Sequence, residues 1–144
     1  MKYLKFVLLI ICLTFSLPCY ASGLSVRIDN SNIGFDIPPI MHNDRVLVPM
    51  RKIFEELDCT VEWLGKTQTV VATKNNTIIA LQVGKNKIIS TDIETGITEV
   101  KEIDIAPVIY ENITMVPARV ISEALGYAVE WSGEEQTVHI STQR

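Results

Sequence analysis

The stretch Val48-Pro49-Met50-Arg51-Lys52-Ile53 comes back 68 residues later as Val116-Pro117-Ala118-Arg119-Val120-Ile121. The same offset, without a gap, joins Asp36-Ile37-Pro38-Pro39-Ile40 to Asp104-Ile105-Ala106-Pro107-Val108. It also joins Val61-Glu62-Trp63-Leu64-Gly65 to Val129-Glu130-Trp131-Ser132-Gly133, and Gln68-Thr69-Val70 to Gln136-Thr137-Val138. Of the 38 positions from 36 to 73, 16 are identical to their partners. So dense a match at one offset points to duplication of a single supersecondary unit.

The unit has a readable shape. Arg45-Val46-Leu47-Val48 is a short apolar β-type run, preceded by the turn formers His42-Asn43-Asp44. Pro49 ends the strand and suits a first helical position, where its missing N–H would have no intrahelical partner. Met50, Ile53, Phe54 and Leu57 then recur at the spacing of one helix face over about two turns. The second copy carries Ala118, Ile121 and Leu125 there, with Ser122 in place of Phe54. Gly126 stands where a left-handed residue closes a helix. Asp58 holds that place in the first copy and tolerates the conformation less well.

A hairpin follows each helix: Thr60 to Trp63, a turn around Gly65-Lys66-Thr67, then Gln68 to Thr73. Strand alternation sets Val61 and Trp63 on one face and Glu62 on the other. Between the copies, 77–83 and 87–91 read as strands joined by the Gly84-Lys85-Asn86 turn, with another turn at Glu94-Thr95-Gly96. Helices this short do not hold themselves up in water, so they must dock on a sheet. The expected class is therefore α+β, a mostly antiparallel β-sheet with two short helices, built from two pseudo-repeats spanning about 24–76 and 77–144.

Outside the repeat, Lys2 and Lys5 precede the apolar run Phe6–Leu13, and Cys19-Tyr20-Ala21-Ser22 follow. A basic start, an apolar core too short to span a bilayer and small residues beyond it read as a secretory signal, residues 1–21, cut after Ala21. Retention as an anchor is the alternative. Cleavage would leave 11 basic against 17 acidic residues, a net charge of −6, on residues 22–144. Such a balance argues against nucleic acid as a partner, because polyanions are held by summed Lys and Arg contacts. Cys59 would then be the only cysteine, so the fold is expected to stand without a disulfide and to bury that thiol as a small side chain.

Three residue types recur at places where chemistry is possible: Arg51 and Arg119 at the helix starts, Glu62 and Glu130 in the hairpins, and Trp63 and Trp131 beside them. An arginine in a first helical turn opposes the helix dipole, so an ion pair with the nearby Glu, or stacking on the Trp, is expected. A clamp for an anionic ligand is the functional alternative. The tryptophans are expected in the core, with exposed platforms for sugar rings as the alternative. Glu55-Glu56 and Glu134-Glu135 are adjacent pairs and do not face each other as a catalytic pair must. No phosphate loop, Cys-x-x-Cys, His-Glu-x-x-His or Gly-x-Ser-x-Gly occurs, and two histidines rule out any three-imidazole metal site. No catalytic residue, metal or cofactor is therefore expected.

The Pro-Pro-Ile segment, the Arg-Val-Leu-Val-Pro-Met-Arg junction and the Val-Glu-Trp hairpin, together with their second appearance, resemble the copper amine oxidase N-terminal-like domain, also called the stalk domain. The resemblance runs over roughly 24–144. It implies an exported, often cell-surface, non-catalytic module of bacterial proteins, frequently attached to other domains. In the oxidases a separate domain holds copper on three His and converts a Tyr within Asn-Tyr-Asp/Glu. Here the residues before Tyr3, Tyr20, Tyr110 and Tyr127 are Lys, Cys, Ile and Gly, so no such precursor exists. The chain departs from the family pattern at Asp44, where Gly is common, and at Ile113, which stands where the first copy has Arg45. The expectation is a secreted or cell-surface module that binds an envelope protein or a cell-wall glycan. An enzyme subunit acting on wall material and a structural spacer are the alternatives.

Overall fold

Short apolar runs broken by left-handed turn residues dictate the architecture of the computed structural model, which describes residues 23–142. The expected export signal, with Cys12 and Cys19, lies outside the described residues. Strands β1 (Ser25–Ile28) and β2 (Ser31–Asn32) form a first hairpin, and β3 (Ile40–His42) and β4 (Arg45–Pro49) a second, which runs into helix α1 (Met50–Glu56). A meander follows through β5 (Thr60–Leu64), β6 (Thr69–Lys74), β7 (Thr77–Gln82), β8 (Lys87–Asp92) and β9 (Thr98–Glu102). Then come β10 (Val108–Tyr110), β11 (Ile113–Pro117), α2 (Ala118–Ala124), β12 (Tyr127–Ser132) and β13 (Thr137–Thr142). Mostly antiparallel sheets with two helices make the fold α+β, as expected.

Turn chemistry sets the hairpins. Asn43 and Asp44, at φ 47° and 58°, join β3 to β4, while Glu111 and Asn112, at 48° and 63°, join β10 to β11. Two central residues with positive φ are the type I′ turn, whose twist matches that of the strands it joins. At Asp44 this is the conformation that glycine enters without strain. Each helix end also takes a left-handed residue, Asp58 at φ 58° and Gly126 at φ 86°. Asp58 adopts it despite its side chain because the backbone closes around it. Its N–H reaches the Glu55 carbonyl at 3.0 Å, and the Cys59 N–H reaches Phe54 at 2.8 Å, the two bonds of a Schellman motif. Pro49 and Pro117 depart from expectation. They are extended (ψ 120° and 114°) and cap the helices, so Met50 and Ala118 are the first helical residues.

Three sheets result. The central one has the order β10-β11-β4-β3, and in its antiparallel middle pair Val48 lies opposite Val116, Pro49 opposite Met115 and Leu47 opposite Pro117. The second has the order β5-β6-β7-β8-β9, so it crosses the boundary drawn from sequence at residues 76 and 77. The third, β12-β13-β1-β2, contains the parallel pair β1–β13. That pair is tied by the Asp29 carboxylate, which accepts the Thr142 backbone N–H at 3.0 Å.

Both helices press their apolar faces into the space between the sheets. Met50, Ile53, Phe54 and Leu57 are all buried there, against Val70, Ile79 and Leu81 of the meander and Val138 and Ile140 of β13. Helix α2 buries Ala118 and Ile121, and also Ser122, whose hydroxyl has no hydrogen-bond partner. A buried hydroxyl without a partner costs about 1–3 kcal/mol. Ser122→Ala should therefore raise stability by about 1 kcal/mol in chemical denaturation; a loss of that size would reveal a partner for the hydroxyl.

Candidate functional site

Helix α2 does not close against the sheets on its outer side. Between it, β12, the β8–β9 hairpin and the β3–β4 turn lies a groove of about 1010 Å³. Val120, Ala124, Val129 and Trp131 give it an apolar wall, and Ile88 and Ile103 face them from the meander. Trp131 is 38% exposed. Arg119 on α2 and Glu130 on β12 stand beside it, so three of the six residues singled out by sequence line one groove. Arg51, Glu62 and Trp63 are not among the lining residues.

The two tryptophans thus part company. Trp63 is half-buried and packs on the core, as expected, whereas Trp131 stands outside the core cluster with part of its ring free. In each hairpin the indole nitrogen lies over the turn glycine, 3.7 Å from where a Cβ of Gly65 would stand and 3.6 Å from that of Gly133. Both distances are ordinary contacts, so the repeated Trp-x-Gly aligns the ring along its strand without demanding glycine for space.

The expected arginine clasp is absent. Among the described residues the ion pairs are Arg45–Asp104 and Lys52–Glu56, His139 is hydrogen-bonded to Glu135, and neither Arg51 nor Arg119 pairs with a glutamate or stacks on an indole. Both arginines are exposed, as are Glu62 and Glu130. Strand alternation supplies the reason at the first site, because Trp63 turns toward the core and Glu62 therefore turns away from α1. Arg45–Asp104 has no counterpart at the offset of 68, where Ile113 replaces the arginine and leaves Asp36 alone.

Sequence reasoning missed Lys74. From the end of β6 its Nζ donates to the Leu57 carbonyl at 2.6 Å and also meets the Tyr127 hydroxyl. The Leu57 carbonyl is one of the groups that a helix C-terminus leaves without an internal partner, and a cation there also suits the helix dipole. The Cys59 thiol points at the same carbonyl, at 3.7 Å. Burial pushes that thiol up from its ordinary pKa, which fits a packed cysteine rather than a nucleophile. No short-range pattern marks Lys74, since its place at the offset of 68 is taken by Thr142.

A model of the family described as the copper amine oxidase N-terminal domain matches residues 27–140. The chain belongs to that family. No curated protein matches it. The copper amine oxidase N-terminal domain is a non-catalytic part of those enzymes. The copper in its name does not fit the residues present: among the described residues no three His, Cys, Asp or Glu side chains gather in one place. His42 lies on β3 of the central sheet and His139 on β13 of another, bonded to Glu135 at 3.0 Å. No described helix is long and apolar enough to cross a membrane.

These placements separate a residue that holds the fold, Lys74, from exposed ones such as Arg119. Lys74→Met should destabilise the domain by about 1–3 kcal/mol, because it leaves a helix-end carbonyl and a buried phenol short of a donor. Arg119→Ala should leave the denaturation midpoint within about 0.5 kcal/mol of the parent. A large loss in the arginine variant would mean that it has a partner in solution.

Proposed function

We propose that this chain is a secreted, non-catalytic cell-envelope module that works by binding, and that the groove beside α2 takes a neutral cell-wall glycan strand. The observation that carries the reading is Trp131, a partly exposed indole in a groove wall with Arg119 and Glu130 next to it. An aromatic face with flanking hydrogen-bonding groups is the chemistry that a sugar ring offers to meet, apolar on its C–H face and polar at its rim. Export is supported by the N-terminal sequence, and the non-catalytic role by the character of the copper amine oxidase N-terminal domain.

An envelope protein is the second reading. The groove lining favours it through its charge, since Asp44, Glu99, Glu102, Glu123 and Glu130 outnumber Lys101 and Arg119 once Arg45 and Asp104 have neutralised each other. We also read the chain as a duplicated unit, about 24–76 and 77–144. Support comes from the central sheet, where Val48 faces Val116, its own partner at the offset of 68, and Leu47–Pro117 mirrors Pro49–Met115. The two halves nevertheless have unlike neighbours: β6 is flanked by β7 and the rest of the meander, β13 by β1.

Sedimentation of the protein with insoluble cell-wall glycan tests the reading. Trp131→Ala should weaken binding at least about tenfold, or about 1.4 kcal/mol. Trp63→Ala should keep binding and lose about 3 kcal/mol of stability or less, since its half-buried ring packs on the core. Equal sedimentation of the Trp131 variant and its parent would overturn the groove, capture of a protein in place of glycan would move the assignment to the second reading, and release of soluble glycan fragments would refute the non-catalytic role.

A further inference from the structure

We propose that the free edge of β9 pairs with β9 of a second copy of this chain, antiparallel and centred on Val100, joining two five-stranded sheets into one. Strand β9 is the last strand of its sheet, and each of its residues, Thr98 to Glu102, is exposed. Val100 is 64% exposed and Ile97, just before the strand, 61%. An uncovered edge of this kind is a template for another strand.

Backbone geometry shows which groups point outward. The Ile103 N–H reaches the Asn86 carbonyl at 3.0 Å, and the Asp92 N–H reaches the Ile97 carbonyl at 2.9 Å, one bond at each end of the β8–β9 ladder. Bonded and non-bonded pairs alternate along an antiparallel ladder, so residues 97, 99, 101 and 103 turn their backbone groups toward β8. Thr98, Val100 and Glu102 therefore turn their N–H and C=O groups to the free edge. Antiparallel pairing about Val100 sets Val100 against its copy and Thr98 against the partner's Glu102. Every outward group then meets another, for about six backbone hydrogen bonds.

Side chains select that register. With Val100 at the centre, Glu99 stands opposite the partner's Lys101, and Lys101 opposite the partner's Glu99. A shift of the centre by one residue would instead set Glu99 against Glu99, or Lys101 against Lys101, and like charges directly opposite are unfavourable. A lysine on an edge strand commonly discourages pairing. Here it is placed to accept one partner, a copy of its own strand. The apolar row Val71–Ala80–Ile89–Val100, which runs across β6 to β9 on one face of the sheet, would continue into the same row of the second copy.

One strand from each copy makes an interface below the roughly 1,200 Å² of stable complexes, so the association should be a reversible, concentration-dependent equilibrium. Sedimentation equilibrium on the full chain tests it. The parent's average mass should rise toward that of a dimer with concentration. Glu99→Lys and Lys101→Glu should each weaken association at least about tenfold, while the double variant carrying both changes, and an equimolar mixture of the two single variants, should restore it. Val100→Pro removes an outward N–H without touching the β8 ladder and should abolish pairing independently of charge, with circular dichroism confirming the fold of each variant. A parent that stays monomeric up to about 1 mM, an association indifferent to the single charge reversals, or a double variant that fails to regain it would overturn the proposal.

Discussion

The antiparallel pairing of β4 with β11, centred on Val48 and Val116, is the constraint on which the rest of the molecule depends. Each strand ends in a proline and passes without a loop into a helix, so the pairing that aligns the strands also places both helices. The residues on the inward side of this junction are wholly buried, Val48, Ile53 and Phe54 from one arm and Val116 and Ile121 from the other. The two outer sheets are recruited through those helices. Helices of about two turns have no stability of their own, and they exist here because their apolar faces fill the gap between sheets.

Similar local sequence in the two arms leads to unlike surroundings. After the first helix β6 pairs with β7 and the sheet runs on through β8 and β9, while after the second β13 pairs with β1. The meander reaches across to α2 and leaves a groove whose wall holds Trp131, whereas Trp63 packs on the core. Single substitutions deepen the difference. Lys74 clasps the Leu57 carbonyl and the Tyr127 hydroxyl, joining the end of α1 to the start of β12, and Thr142 at the matching place is instead held by Asp29. Arg45 reaches Asp104, while Ile113 gives Asp36 no such partner.

Much of the fold was legible in the chain. The helix face of Met50, Ile53, Phe54 and Leu57, the turn at Asn43-Asp44 and the left-handed closure at Gly126 follow from spacing and from backbone preferences over a few residues. Asp58 was the weaker reading, because intrinsic preference opposes it and only the two bonds around the helix end hold it in place. The arginine clasp failed for a different reason. Sequence placed Arg and Glu in neighbouring elements, but whether two long side chains meet depends on how strand faces are oriented against the helix.

What this sequence determined by itself is therefore local: where strands turn, which segments are helical, which faces are apolar and which family the chain resembles. Those properties depend on near neighbours along the backbone and survive any arrangement of the elements. The groove, the clasp at Lys74 and the open edge at β9 were decided only by tertiary structure. Each brings together residues tens of positions apart, or leaves one edge bare, and that choice belongs to the packing of three sheets around a shared core.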